Sequence, residues 1–137
     1  MSILLDTNAC VAAVNRRPLA VRERLDDVTA RGTVVAISSV VIFELRYGIA
    51  KSKRVADNTG RVDLFLASLQ ILPFDQDDAR IAGNIRVELE RLGTPIGPYD
   101  YLIAAQALRH GFLLVTANTR EFSRVAGLRW EDWSKPF

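Results

Sequence analysis

The chain has 137 residues, 49% of them hydrophobic and 25% charged, with a net charge of +2 at pH 7. A chain of that length buries roughly two-thirds of its unfolded surface, and its composition excludes a disordered polymer. The expectation is therefore one globular domain over residues 1–137. A single cysteine, Cys10, excludes an intrachain disulfide and suits a reducing cytoplasm. No leader is expected, because no basic stretch precedes a long apolar one, and the apolar runs fall short of the roughly 18 residues that span a bilayer. An isoelectric point near 9.0 permits a nucleic-acid partner without demanding one.

Ile3, Leu4 and Leu5 form a run short enough for a buried strand, ended by Asp6 in the motif LLDTN. An acid there is either a helix cap or the start of a site. Cys10, among Ala9, Val11 and Ala12, reads as a small core residue rather than a nucleophile. A short first helix is followed by Arg16 and Arg17. The segment PLAVRERLDDVTARG opens with Pro18 and closes near Gly32, the usual asymmetry of a helix. TVVAI is a second strand. Ser39 is then expected to cap the helix SVVIFELRYGIAKSK, with Val41, Leu45 and Gly48 as its apolar stripe and Glu44 beside that stripe. LQILPF is a third strand. DDARIAGNIRVELERLG places Ala79, Ala82, Ile85, Leu89 and Leu92 on one helical face. GTPIGP is a loop, and PYDYLIAAQALRHG runs as a helix from Pro98 to Gly111 with Asp100 in its first turn. FLLVT is a strand leading to Thr116 and Asn118.

Strands alternating with helices predict an α/β fold with a mainly parallel sheet. Ligands bind such sheets beyond the carboxyl ends of the strands, where Asp6, Thr116 and Asn118 fall. Glu44 and Asp100 lie on helices that are otherwise apolar. Taken singly, an arginine would satisfy Glu44, and Asp100 would complement its helix dipole. Taken with Asp6, they are three carboxylates beside buried elements, which repel unless a cation neutralises them. Their oxygens are hard ligands, favouring Mg²⁺ or Mn²⁺ over zinc.

The segments LLDTN, SSVVIFELRYGIAK, GTPIGPYDYLIAAQAL and LLVTANTREFSRVAGLRWEDW together resemble the PIN-domain ribonucleases, in particular the VapC-type toxins of bacterial toxin–antitoxin pairs. The resemblance covers essentially the whole chain. It implies a PIN-like sheet of four to five strands flanked by helices and Mg²⁺-dependent endoribonuclease activity, with Mn²⁺ as a substitute. It implies cleavage that leaves a 5′-phosphate and a 3′-hydroxyl. The family's acids fall on Asp6, Glu44 and Asp100, with Asp6 and Asp100 as direct metal ligands and Glu44 ligating the metal or orienting its waters. The fourth polar position falls on Asn118, where many PIN domains carry an acid and the subgroup with TREF often has asparagine. Thr7 and Thr116 are candidates to support the ligands. Glu121 either completes the site or is a solvated acid at a helix start. Arg16, Arg17, Lys51, Lys53, Arg54, Arg120 and Arg124 are candidate RNA contacts, although several equally suit helix ends and a solvated surface. The implied partners are RNA, a cognate VapB-type antitoxin and a second copy of the chain, in the cytoplasm and away from membranes.

Other classes fit less well. His110 is the only histidine, which excludes a metal-free nuclease that uses two. No GxxxxGK run supports a Walker-type nucleotidase. Thr7 and Asn8 stand where a phosphate receiver or aspartyl-phosphate phosphatase carries a second acid. The alternative within the fold is a catalytically silent module that docks RNA or protein.

Overall fold

The computed structural model describes residues 1–135. Its strands are β1 (Ser2–Leu5), β2 (Val34–Ser38), β3 (Gln70–Leu72), β4 (Leu113–Val115) and β5 (Trp130–Glu131). Its helices are α1 (Thr7–Asn15), α2 (Leu19–Ala30), α3 (Ser39–Ala50), α4 (Val55–Leu66), α5 (Gln76–Arg91), α6 (Pro98–His110) and α7 (Thr119–Phe122). Every strand pair is parallel, in the order β3-β2-β1-β4-β5.

Ile3, Leu4 and Leu5 are buried because β1 is the central strand, paired on both sides. Continuous aliphatic runs such as these, and LLV in β4, are what a parallel sheet covered on both faces requires. The core also takes Ile37, Val41, Ile103, Phe122 and Cys10, so the thiol is a packing group as read from the sequence. The chain leaves β1 towards β2 on one side and returns through β4 on the other. That switch point opens a crevice beyond Leu5 and Val115, which lie opposite each other in register.

Several details differ from the sequence reading. Ser38, not Ser39, caps α3, its Oγ accepting from the Val40 N–H at 3.0 Å. The buried stripe of α3 is Val41, Leu45 and Ile49, with Gly48 only half-buried. On α5 the buried positions are Asp78, Ala82 and Leu89, while Ala79 and Leu92 face solvent. Asp78 closes a capping box with Asp75 and pairs with Arg109 at 3.1 Å, tying α5 to α6. Helix α4 and strand β5 were not anticipated as separate elements. Among the described residues, no helix is long and apolar enough to cross a membrane.

Candidate active site

Asp6 stands where β1 ends, and the ladder continues through its N–H to the Val115 carbonyl at 3.2 Å. It is also the N-cap of α1: Oδ1 accepts from the Ala9 N–H at 2.8 Å. Its other oxygen, Oδ2, accepts from Thr116 Oγ1 at 2.5 Å, a hydroxyl carried just past β4. Thr116 in turn accepts from the Asn118 N–H at 2.9 Å. Asp6 is therefore gripped from both strands that line the switch point while only 4% exposed.

The other acids arrive from helices. Thr7, the first residue of α1, donates to Glu44 Oε1 at 2.7 Å, joining α1 to α3. Asp100 lies in the first turn of α6. Asn118 Nδ2 donates to Asp100 Oδ2 at 3.2 Å and to Glu121 Oε2 at 2.6 Å. Glu121 thus shares one amide with Asp100 and stands half-buried beside it. Gly97 leaves room beside this pair: a Cβ there would stand 3.1 Å from Asp100 Oδ2.

The charges acting on these acids are mostly one another. Burial raises the Asp6 carboxyl above its ordinary range, with Glu44 and Asp132 adding to the rise, while the bonds from Thr116 and Ala9 oppose it. Asp100 is pushed up to about 7, first by burial, then by its hydrogen bond to Glu121 and that acid's charge, then by Asp6 and Glu44. Glu121 is lowered, chiefly by the bond from Asn118 and then by Asp100. The two acids titrate as a pair, with the higher step on Asp100.

All these donors are oxygens, matching a hard divalent cation rather than a soft one. Among the described residues, no three acids, histidines or cysteines already stand as a ligand cage. Below about pH 7 a cation binding here competes with the proton that Asp100 retains.

The cationic candidates lie outside this cluster. Arg16 caps α1 in the left-handed region at φ 56°, and Arg17 lines a shallow cavity with Thr116, Asp132 and Trp133. Lys51 caps α3, Lys53 is exposed, and Arg54 is paired with Asp57. Arg120 is exposed on α7. Arg124 donates to the Pro95 carbonyl at 2.7 Å and lowers Glu121 by its charge. None of them bonds Asp6, Glu44 or Asp100 among the described contacts. Asp132, whose charge reaches Asp6, was not singled out from the sequence; its only signal was an acid just past a strand of two residues.

The chain matches the PIN domain family over residues 3–128. It is 42% identical to the tRNA(fMet)-specific endonuclease VapC of Shigella flexneri, over 98% of this chain and 99% of that one. The fold superposes on VapBC2 of Rickettsia felis, solved bound to a promoter DNA fragment, with a TM-score of 0.90 and 40% identity over 97% of this chain and 99% of that one. DNA-bound VapBC of Salmonella typhimurium gives 0.88 and 42% identity, over 97% and 98%.

Proposed function

Since the chain belongs to the PIN-domain family, and within it to the VapC ribonucleases, we propose that it is a toxin endoribonuclease whose catalytic groups are Asp6, Glu44, Asp100 and Asn118. The observation that carries this reading is the gathering of Asp6, Glu44 and Asp100 beyond the central strands, where burial first, then Glu121, and then the charges of Asp6 and Glu44 push Asp100 up to about 7. Carboxylates kept together against their repulsion have a use for a cation.

Asp6 and Asp100 would hold the divalent ion, Mg²⁺ with Mn²⁺ as a substitute, and Glu44 would ligate it or orient its waters. Bound there, the ion supplies a nucleophilic water at neutral pH and stabilises charge on the phosphate. The chain's own residues prepare that site. Thr116 and the Ala9 N–H fix both oxygens of Asp6, so little ordering remains when the ligand arrives. Thr7 sets the Glu44 rotamer. Asn118 holds Asp100 and Glu121 on one amide and brings no further negative charge to the pocket. When the ion binds, any proton on Asp100 leaves to solvent, while Glu121, lowered, stays charged. Arg120 and Arg124, on the segment that follows Asn118, are the cations nearest in sequence to greet the RNA backbone.

The whole chain acts as a single PIN domain, in the cytoplasm, as a homodimer silenced by a cognate VapB-type antitoxin. The Shigella relative is named for tRNA(fMet), so that tRNA is the first substrate to try. Purified chain with Mg²⁺ and a tRNA pool should yield discrete 5′-phosphate ends at one position. Asp6→Asn and Asp100→Asn should lower that cleavage at least about a hundredfold while still binding RNA. Near-normal turnover by either variant would remove the assignment.

A further inference from the structure

Two aromatic rings stand in solvent beside the acid pocket. Phe43 is 54% exposed and Tyr99 is 44% exposed. Their centroids lie 5.7 Å apart with the planes at 67°, an edge-on pair that joins α3 to the start of α6. Each ring immediately precedes a pocket acid in sequence, Phe43 before Glu44 and Tyr99 before Asp100. One helical turn beyond Phe43 comes Tyr47, 60% exposed. One turn further, Lys51 sets its Nζ 4.7 Å from the Tyr47 ring centroid. The result is a stripe at i, i+4 and i+8 along α3, aromatic near the acids and cationic at its far end.

The buried stripe of α3 is a different one, Val41, Leu45 and Ile49. Phe43 and Tyr47 therefore contribute little to the core, and a contiguous exposed aromatic patch marks an interaction surface. Lysine is depleted from the centres of protein interfaces, yet Lys51 lies over one of these rings. Aromatic faces flanked by a cation are instead what single-stranded nucleic acid stacks on. The acid pocket repels a phosphate backbone, so an RNA entering it needs attractive contacts close by.

We propose that Phe43 and Tyr99 form a stacking platform for the nucleobases next to the cleaved phosphate, continued along α3 by Tyr47 and Lys51. The inference rests on the nuclease reading and specifies its substrate class: an RNA segment with unpaired bases at the cut, such as a loop. A base inside a duplex has no free face to offer a ring.

The test is a single-stranded RNA oligonucleotide carrying 2-aminopurine, titrated with Asp100→Asn protein so that it stays intact. Stacking should quench the probe. In that background Phe43→Leu and Tyr99→Leu should each weaken binding about tenfold and abolish most of the quench. Phe43→Tyr and Tyr99→Phe should retain both. The same oligonucleotide annealed to its complement should show no quench on binding. Unchanged affinity and quench in both leucine variants would overturn the platform. So would a loss of binding that tracks dissociation of a dimer in sedimentation, which would make this face a contact between copies. If wild-type protein quenches the probe through these rings yet cuts no RNA with Mg²⁺ or Mn²⁺, the platform is supported and the nuclease reading falls.

Discussion

The Asp100 carboxyl is raised and that of Glu121 lowered, and this has consequences that can be measured. The Asp100 carboxyl is raised from 3.8 to about 7, so between those values the folded chain binds a proton that the unfolded chain has lost. In EDTA its contribution to stability is full below about pH 4 and disappears as pH rises through about 7. Asp6 is raised too and acts in the same direction. Glu121 is lowered and acts oppositely: its share is present above its ordinary value and is lost as pH falls through its folded value. A cation that competes with the proton on Asp100 should bind about tenfold more tightly per pH unit up to about pH 7, then level off. Calorimetric titration of Mg²⁺ across pH 5.5–8.5 would show it, and a flat profile would contradict it. Glu121→Gln removes a charge that raises Asp100 and should shift the bend to lower pH, whereas a merely solvated Glu121 would leave it in place. Asp6, Glu44 and Asp100 were legible in the sequence because each interrupts an apolar pattern. Asp132 was not, because no periodicity surrounds so short a strand.

Helix α1 begins on the residue proposed to hold the metal, so capping and catalysis share one side chain. Asp6→Asn keeps a good N-cap, while Asp6→Ala loses the bond from the Ala9 N–H. Both changes remove the same charge, so relief of repulsion cancels between them. The alanine variant should be less stable than the asparagine variant by about 1 kcal/mol in urea denaturation, and both should be inactive. Equal stability would mean that the cap contributes nothing. Four of the five strands and most helices were readable from periodicity, but their ends were not. Two serines in succession, Ser38 and Ser39, offer the same hydroxyl, and only the start of the helix decides that Ser38 caps it while Ser39 accepts from the Phe74 N–H at 3.0 Å. Helix α4 was missed because its buried residues are just Val62 and Phe65. On α5 the apolar pattern misplaced the face, since Asp78 is buried in a polar network with Gln106 and Arg109 that no hydrophobic count reveals.

A net charge of +2 conceals an acidic pocket within a chain that carries 18 lysines and arginines, and the fate of that pocket sets how the molecule is held silent and how it is stabilised. A guanidinium reaching Asp6, Glu44 and Asp100 would satisfy carboxylates in pairs and compete with a cation. An antitoxin should therefore inhibit through arginine, and inhibition unchanged after replacing every arginine in its toxin-binding segment would exclude that route. Stability follows the same charges. Mg²⁺ favours the folded chain, where the ligands are assembled, so it should add RT ln(1 + [L]/Kd), about 2.7 kcal/mol at a hundredfold excess over Kd. Asp100→Asn removes one repelling group and one ligand at once. In EDTA at pH 8, where Asp100 is charged, this variant should melt at or above wild type, and Mg²⁺ should raise its melting temperature less. At pH 5.5 the advantage should shrink, because protonated Asp100 no longer repels its neighbours. Trp133, 3% exposed with the Arg24 guanidinium 5.2 Å from its ring centroid, provides the fluorescence signal for the melt. If Asp100 served only its helix dipole, its loss would instead cost about 0.3–1 kcal/mol. A variant that melts below wild type in EDTA at pH 8, with neither protein responding to Mg²⁺, would make Asp100 a helix-end charge and not a ligand.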